Sequence, residues 1–271
     1  MNWETAHDRT IFLDRIQVMG ILNVTPDSFS DGGRYFTPEE AVAHAVEMAQ
    51  QGADIIDIGA QSTRPGYSRL TPQEEWSRIK KVIPAVREAV DVPLSIDTFY
   101  PEVALKAVMA GVNIINDVTG FDNEEMRRAA KVTNAGLVVT HHDEIDPGLP
   151  VAESIRAFFE KRVDELEGCG IERDRICLDP GLGFGKNNEE NVAAVANFET
   201  FCLDGCPMLI AASRKRFIGA ACGGARPEER DFGTTAVDTA ACLSGARIVR
   251  VHNIPAAVQA ARLCDAMLMG R

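Results

Sequence analysis

The chain has 271 residues, 45% of them hydrophobic and 25% charged, ordinary proportions for a globular protein able to close a full core. Its 28 Lys and Arg stand against 40 Asp and Glu, a net charge of −12, and that sign repels the phosphate backbone, which argues against nucleic acid as a partner. The length suits one large domain, taken as residues 1–271, because α/β barrels run to about 250 residues.

Met1 to Asp14 is charged and lacks the apolar stretch of a signal peptide, and no run approaches the roughly 18 apolar residues of a membrane span. The expectation is a cytoplasmic protein with no membrane partner. Seven cysteines (Cys169, Cys177, Cys202, Cys206, Cys222, Cys242 and Cys264) include no C-x-x-C pair and read as scattered reduced thiols.

In chain order, short apolar runs alternate with segments of helical period. The strand-like runs are Gln17–Leu22, Asp54–Ile58, Pro93–Ile96, Val112–Ile115, Gly136–Thr140, Ile176–Leu178, Met208–Ala212 and Arg247–Val251. Helical segments include Pro38–Gln51, Pro72–Val90, Glu102–Ala110 and Ser154–Gly168. The alternation predicts parallel βαβ units, and eight of them predict a (β/α)8 TIM barrel of the α/β class, with an open doubly wound sheet as the alternative. Thr37-Pro38-Glu39-Glu40 and Thr71-Pro72-Gln73-Glu74 each set a Thr N-cap before a Pro, with a Glu or Gln meeting the positive end of the helix dipole. Gly52, Gly111, Gly136, Gly170 and Gly245 shortly precede strands and read as helix C-caps.

Nearly every run ends in a polar residue: Asn23, Asp57, Asp97, Asn116, His141, Asp179, Ser213 and the pair Arg250/His252. A closed barrel brings such positions together at its C-terminal face, where barrel enzymes keep their active sites. Any one of them could merely cap a turn, but so many in register point to a site. The loops beyond add Arg64 on a turn after the second strand, and Ser213-Arg214-Lys215-Arg216 after the seventh. Together with Arg250 these form a candidate anion pocket in an otherwise acidic chain, since Arg suits bidentate phosphate recognition. Asp179-Pro180-Gly181-Leu182-Gly183-Phe184-Gly185-Lys186 fails the Walker spacing, because Asn187 follows the Lys. His141 and His142, adjacent on an extended segment, should point to opposite faces and make a poor metal site.

Several of these motifs, in order, resemble the dihydropteroate synthase family. They are Met19 to Gly33, Ser62-Thr63-Arg64-Pro65-Gly66, Ser95-Ile96-Asp97-Thr98, Ile115-Asn116-Asp117-Val118, Leu178-Asp179-Pro180-Gly181, Gly183-Phe184-Gly185-Lys186, Ser213-Arg214-Lys215 and Val249-Arg250-Val251-His252. The resemblance implies condensation of 6-hydroxymethyl-7,8-dihydropterin diphosphate with p-aminobenzoate, releasing pyrophosphate. It assigns the pterin to Asp97, Asn116, Asp179, Lys215 and Arg250, with Asp97, Lys215 and Arg250 as the catalytic groups. It assigns the diphosphate to Asn23, Arg64, Arg250 and His252, with Asn23 also a ligand of Mg²⁺. It places p-aminobenzoate, which sulfonamides mimic, near Thr63, Pro65, Phe184, Ser213 and Arg216, and it implies a homodimer, for which the apolar segment Ala256–Met267 is suited.

The chain departs from the family pattern at Gln61, where Glu is usual, at Thr140 and His142, which replace Met residues, and at Arg216, which replaces Ser. These cluster toward the p-aminobenzoate side. A paralogue with an altered second substrate, a pterin-binding methyltransferase domain and a non-catalytic pterin binder therefore stay open as alternatives. Retention of Ser213-Arg214-Lys215 and Arg250-Val251-His252 favours the synthase over the methyltransferase.

Overall fold

The computed structural model describes residues 1–24, 37–61 and 69–270. The chain starts with an antiparallel hairpin of β1 (Asn2–Thr5) and β2 (Arg9–Phe12), for which no strand was expected. Its signal is short and masked by charge, yet the period is there: Trp3 and Thr5 on one arm, Ile11 and Leu13 on the other, all turned inward.

Eight parallel strands then close into a barrel. They are β3 (Gln17–Asn23), β4 (Ile55–Gly59), β5 (Leu94–Asp97), β6 (Ile114–Asp117), β7 (Gly136–Thr140), β8 (Ile176–Asp179), β9 (Met208–Ile210) and β10 (Ala246–Val251). Strand β10 pairs with β3 as well as β9, and this closure excludes the open doubly wound sheet. Each expected strand is present, its ends moved by at most two residues.

The helices start where the caps require. In α1 (Pro38–Gln50) and α2 (Pro72–Ile79) the Thr37 and Thr71 hydroxyls accept the Glu40 and Glu74 N–H groups, and each Glu carboxylate reaches back to the Thr N–H. The segment expected as one helix over 72–90 is two, because α3 (Val82–Ala89) begins after a break at Lys80–Lys81. Pro84 causes this: it has no N–H for the Lys80 carbonyl, and its ring would clash there. The chain continues with α4 (Pro101–Met109), α5 (Glu124–Thr133), α6 (Val151–Gly168), α7 (Asn188–Ala196), α8 (Arg216–Ala221), α9 (Asp231–Leu243) and α10 (Ile254–Met269).

Gly136 is not a C-cap. Asn134, at φ 51°, ends α5 in the left-handed conformation, and Gly136 opens β7. A Cβ there would stand 2.7 Å from Thr5 Cγ2, so this glycine is what lets the N-terminal hairpin dock on the barrel.

Two apolar layers result. Met19, Ile55, Ile114, Val138, Cys177, Leu209 and Ile248 point to the axis and join Trp3, Ile11 and Leu13 from the hairpin, which plugs the lower end. Alternate residues, among them Ile56, Ile96, Ile115, Leu137, Val139, Leu178 and Val249, face outward under the helices. Each such side chain contributes about 1.5–3 kcal/mol on burial.

Candidate active site

Side-chain alternation decides which polar residues face the axis. With Ile55, Ile114, Val138, Cys177 and Ile248 inside, the residues two positions on are inside as well: Asp57, Asn116, Thr140, Asp179 and Arg250. Strand β5 gives Ser95 and Asp97 to the same side, in register with Asp57 and Gly59. One polar layer thus lies directly above the apolar plug. The member from β7 is Thr140, not His141. His141 has the opposite parity and packs its ring on Phe158, with centroids 4.7 Å apart. His142 also lies against Phe158, at 5.9 Å, so the two histidines are not splayed to opposite faces as expected.

Arg250 is the centre of the layer. Its Nε donates to Asp57 Oδ2 at 2.7 Å and its Nη2 to Asp97 Oδ2 at 2.7 Å, while Asn116 Nδ2 donates to the same Asp57 oxygen at 3.1 Å. Burial lifts the Asp97 carboxyl to about 7; Arg250 pulls against this, and Asp57 and Asp117 add to it. Asp179 is raised by burial too, against Lys215. The Lys215 ammonium is lowered by burial to about 8, with Asp179 opposing. Asp57 Oδ1, Ser95 Oγ and Thr140 Oγ1 are buried without a hydrogen-bond partner among the described residues. Buried polar atoms are normally satisfied, so a layer with three orphans is built to receive something else.

The loop after β8 lies across the mouth. Gly181, Gly183 and Gly185 have φ of 63°, 86° and 55°. A Cβ on Gly181 would stand 1.9 Å from the His141 carbonyl oxygen, and one on Gly183 would stand 3.2 Å from Lys215 Cδ. Lys215 Nζ donates to the Leu182 carbonyl and stands 4.8 Å from the Phe184 ring centre. Lys186 fixes the loop from below: its Nζ is 2.8 Å from His141 Nδ1 and 3.1 Å from the Phe184 carbonyl oxygen. Burial and the Lys186 charge push His141 down to about 3, so its ring is neutral and can accept. Ser213 Oγ accepts the His252 N–H at 3.1 Å and lies 2.8 Å from His252 Nδ1.

The structure therefore brings Asp97, Asn116, Asp179, Lys215 and Arg250 into one cluster, Asn116 and Asp179 buried and the other three half-buried, with Phe184 against Lys215 and Ser213 against His252. Thr63, Arg64 and Pro65 lie outside the described residues. Arg216 opens α8 exposed and has no ion pair among the described residues. Arg214 is not part of an anion pocket: Asp231 holds it from the side, at 2.7 and 2.9 Å. Two contributors had no role assigned from sequence. Asp57 anchors both Arg250 and Asn116, and its signal was an acid inside the apolar run Ile55-Ile56-Asp57-Ile58. Lys186 organises the β8 loop, and only its place after three glycines hinted at that.

Asn23, at the end of β3, has its Oδ1 3.6 Å from where a Gly59 Cβ would be, so Gly59 keeps the space beside it open. No group of three or more His, Cys, Asp or Glu that could hold a metal exists among the described residues. One amide oxygen fits Mg²⁺ carried in by a phosphate, with waters completing the shell, and does not fit an all-protein cage.

Residues 19–252 match the family described as pterin binding enzyme. The folate synthesis bifunctional protein of Arabidopsis thaliana is 40% identical over 96% of this chain, and the match covers 58% of that protein. For its counterpart in Pisum sativum the values are 42%, 94% and 54%, so the chain spans little more than half of these two relatives. A dihydropteroate synthase of Clostridium beijerinckii is 40% identical, with 93% of this chain and 94% of that one covered. The solved structure of Xanthomonas albilineans dihydropteroate synthase with 4-aminobenzoic acid superposes with a TM-score of 0.91 at 39% identity, covering 98% of each chain. A family match along most of the chain, on a barrel whose inner polar layer holds the motif residues, shows that the chain belongs to the pterin-binding enzyme family.

Proposed function

We propose that this chain is a dihydropteroate synthase, a transferase that joins 6-hydroxymethyl-7,8-dihydropterin diphosphate to p-aminobenzoate and releases pyrophosphate. The observation that carries the reading is the convergence of Asp97, Asn116, Asp179, Lys215 and Arg250 in one layer beside the orphaned polar atoms of Asp57, Ser95 and Thr140. A pterin has donors and acceptors along its edge. Asp179 and Asp97 accept from its amino and ring N–H groups, Asn116 serves the mixed edge, and Lys215 donates to the carbonyl. Charge-assisted bonds of this kind are worth about 1.5–3 kcal/mol each.

In the reaction the bond from the pterin methylene to the diphosphate oxygen breaks with its electron pair leaving on pyrophosphate, the aryl amine nitrogen forms the new C–N bond, and the amine gives up a proton to the released pyrophosphate or to water. Ionised Asp97 stabilises the positive charge that develops at the methylene. Arg250, whose Nη1 is not engaged by Asp57 or Asp97, and His252 hold the departing oxygens, with Arg64 as a further cation and Asn23 as the Mg²⁺ ligand. When bound, Mg²⁺ would supply neutralising charge at those oxygens. No covalent enzyme intermediate is needed; positioning and fixed charge suffice. The amine substrate is assigned, on the family resemblance, to Phe184, Ser213, Thr63 and Pro65, with Arg216 assigned to its carboxylate.

The same reading includes one domain over the whole chain, a cytoplasmic location and a homodimer. The dimer is supported by Leu263 and Met267, one helical turn apart on α10 and 62% and 38% exposed. The test is pyrophosphate release by the purified chain with the dihydropterin diphosphate and Mg²⁺, with and without p-aminobenzoate. Release that depends on p-aminobenzoate and forms dihydropteroate is the expected result. Tight pterin binding without that dependence would overturn it in favour of a paralogue with a different second substrate, and would direct attention to Arg216.

A further inference from the structure

Arg214 sits between two residues of the site and serves neither directly. Its backbone is left-handed, with φ 59°, a conformation that side chains such as Arg rarely adopt. Its backbone groups and two of its guanidinium nitrogens are engaged. Its N–H donates to Thr234 Oγ1 at 3.0 Å, and its carbonyl accepts from Arg230 Nη1 at 3.0 Å. Its Nε and Nη2 form a two-pronged pair with Asp231, at 2.7 and 2.9 Å. Asp231 Oδ2 also accepts from Asn253 Nδ2 at 3.0 Å, and Asn253 Oδ1 caps the start of α10.

Asp231 therefore takes donors from the loops after both β9 and β10. Arg214 lies between Ser213, which holds His252, and Lys215, which reaches under the β8 loop. Asn253 directly follows His252. We propose that Arg214, Asp231 and Asn253 form a clamp of positioning residues that holds Lys215 and His252 in register across the two loops without touching substrate. This rests on the pterin-diphosphate reading above, in which Lys215 meets the ring and His252 the leaving group. A simple turn does not account for the arrangement. Glycine would supply the left-handed conformation without strain. Arg is of use here only through its side chain, and Nε and Nη2 of that side chain both go to a carboxylate shared with the neighbouring loop. The bidentate form fixes direction as well as distance.

Two variants separate the clamp from the turn. Arg214→Gly keeps the backbone conformation and deletes the pair; Asp231→Asn keeps the shape and deletes the charge. The measurements are the KM for each substrate, the melting temperature, and the calorimetric affinity for inorganic pyrophosphate with Mg²⁺. Both variants are expected to melt within a few degrees of the parent chain. Both should raise the KM for the dihydropterin diphosphate and weaken pyrophosphate binding by about tenfold, the scale of a small misplacement. The KM for p-aminobenzoate should move less than about threefold. Parent-like constants in Arg214→Gly would overturn the clamp. So would an equal change in all three constants that merely tracks a lowered melting temperature. A parent chain with no p-aminobenzoate-dependent turnover would sink the proposed function, while the pyrophosphate affinities would still decide the clamp. A parent chain that binds no pyrophosphate would sink both.

Discussion

At the lower end of the barrel Arg175 gives its guanidinium to the carbonyls of Ala130 and Ala135, whereas at the upper end Arg250 gives its guanidinium to the carboxylates of Asp57 and Asp97. Both arginines are withdrawn from solvent, and their pKa values move in opposite directions. Burial holds Arg175 below the usual value; for Arg250 burial acts the same way, but Asp57 and Asp97 outweigh it. The lower end completes itself. Trp3 Nε1 donates to the Arg175 carbonyl at 2.9 Å, and Asn113 ties Leu94 to Ala6 at 3.0 and 3.1 Å. The upper end sets several acids against few cations and leaves polar atoms unmatched. One end is a plug and the other is a receptor, and their mutants should fail in different ways.

The largest expected effect is at the plug. Trp3 is fully buried in the inner cluster, and Trp3→Ala removes its ring and orphans the Arg175 carbonyl. The expected loss is about 3–5 kcal/mol of stability. The folded fraction should keep its kcat/KM, because nothing at the mouth moves. Chemical denaturation with a parallel assay checks this, and a fall in kcat/KM at full folding would break the division between the ends.

Asp97→Asn should do the reverse. The substitution removes a carboxylate that burial holds near 7, and Arg250 keeps Asp57. A carboxyl whose folded pKa is raised loses stability as pH climbs through that value, so at pH 8 the neutral amide is expected to be no less stable than the parent. Activity should fall about 10²–10³-fold, the range for one preorganised charge lost from a transition state. A melting temperature that collapses along with activity would mean that Asp97 serves the fold.

The same contrast explains what could be read from the sequence. The strands were legible because each is a short apolar run, and the upper polar layer because acids and amides end those runs. Asp57, Asp97, Asn116, Asp179 and Arg250 fall where alternation puts them. His141 was misplaced by one residue because the β7 run ends at Thr140, and in a strand one residue reverses the face. The hairpin was missed because its strands are only four residues each, too short for their alternation to stand out. Gly136 looked like a cap because its neighbour Thr5 is remote in sequence. Arg214 looked like a phosphate ligand because Asp231, which claims it, lies 17 residues on, beyond any local pattern. Local chemistry was visible; contacts made only by closure were not.

The smallest effect sharpens the comparison most. Asp97 must be ionised to stabilise positive charge, and it titrates near 7, so kcat/KM should rise as pH climbs through about 7. Lys215 must be protonated to donate, and it titrates near 8, so kcat/KM should fall as pH passes about 8. The profile is a narrow bell whose limbs belong to the coupled cluster and not to either residue alone. Arg does not lose its proton in this range, so Lys215→Arg, even if weakened, should lose the alkaline limb and keep the acid one. Asp97→Asn should lose the acid limb in whatever activity survives. Trp3 lies at the opposite end of the barrel from Asp97 and Lys215, so Trp3→Ala should reproduce the parent bell at lower stability. A bell that shifts in Trp3→Ala would show that the plug tunes the mouth, and that the two ends are one electrostatic unit.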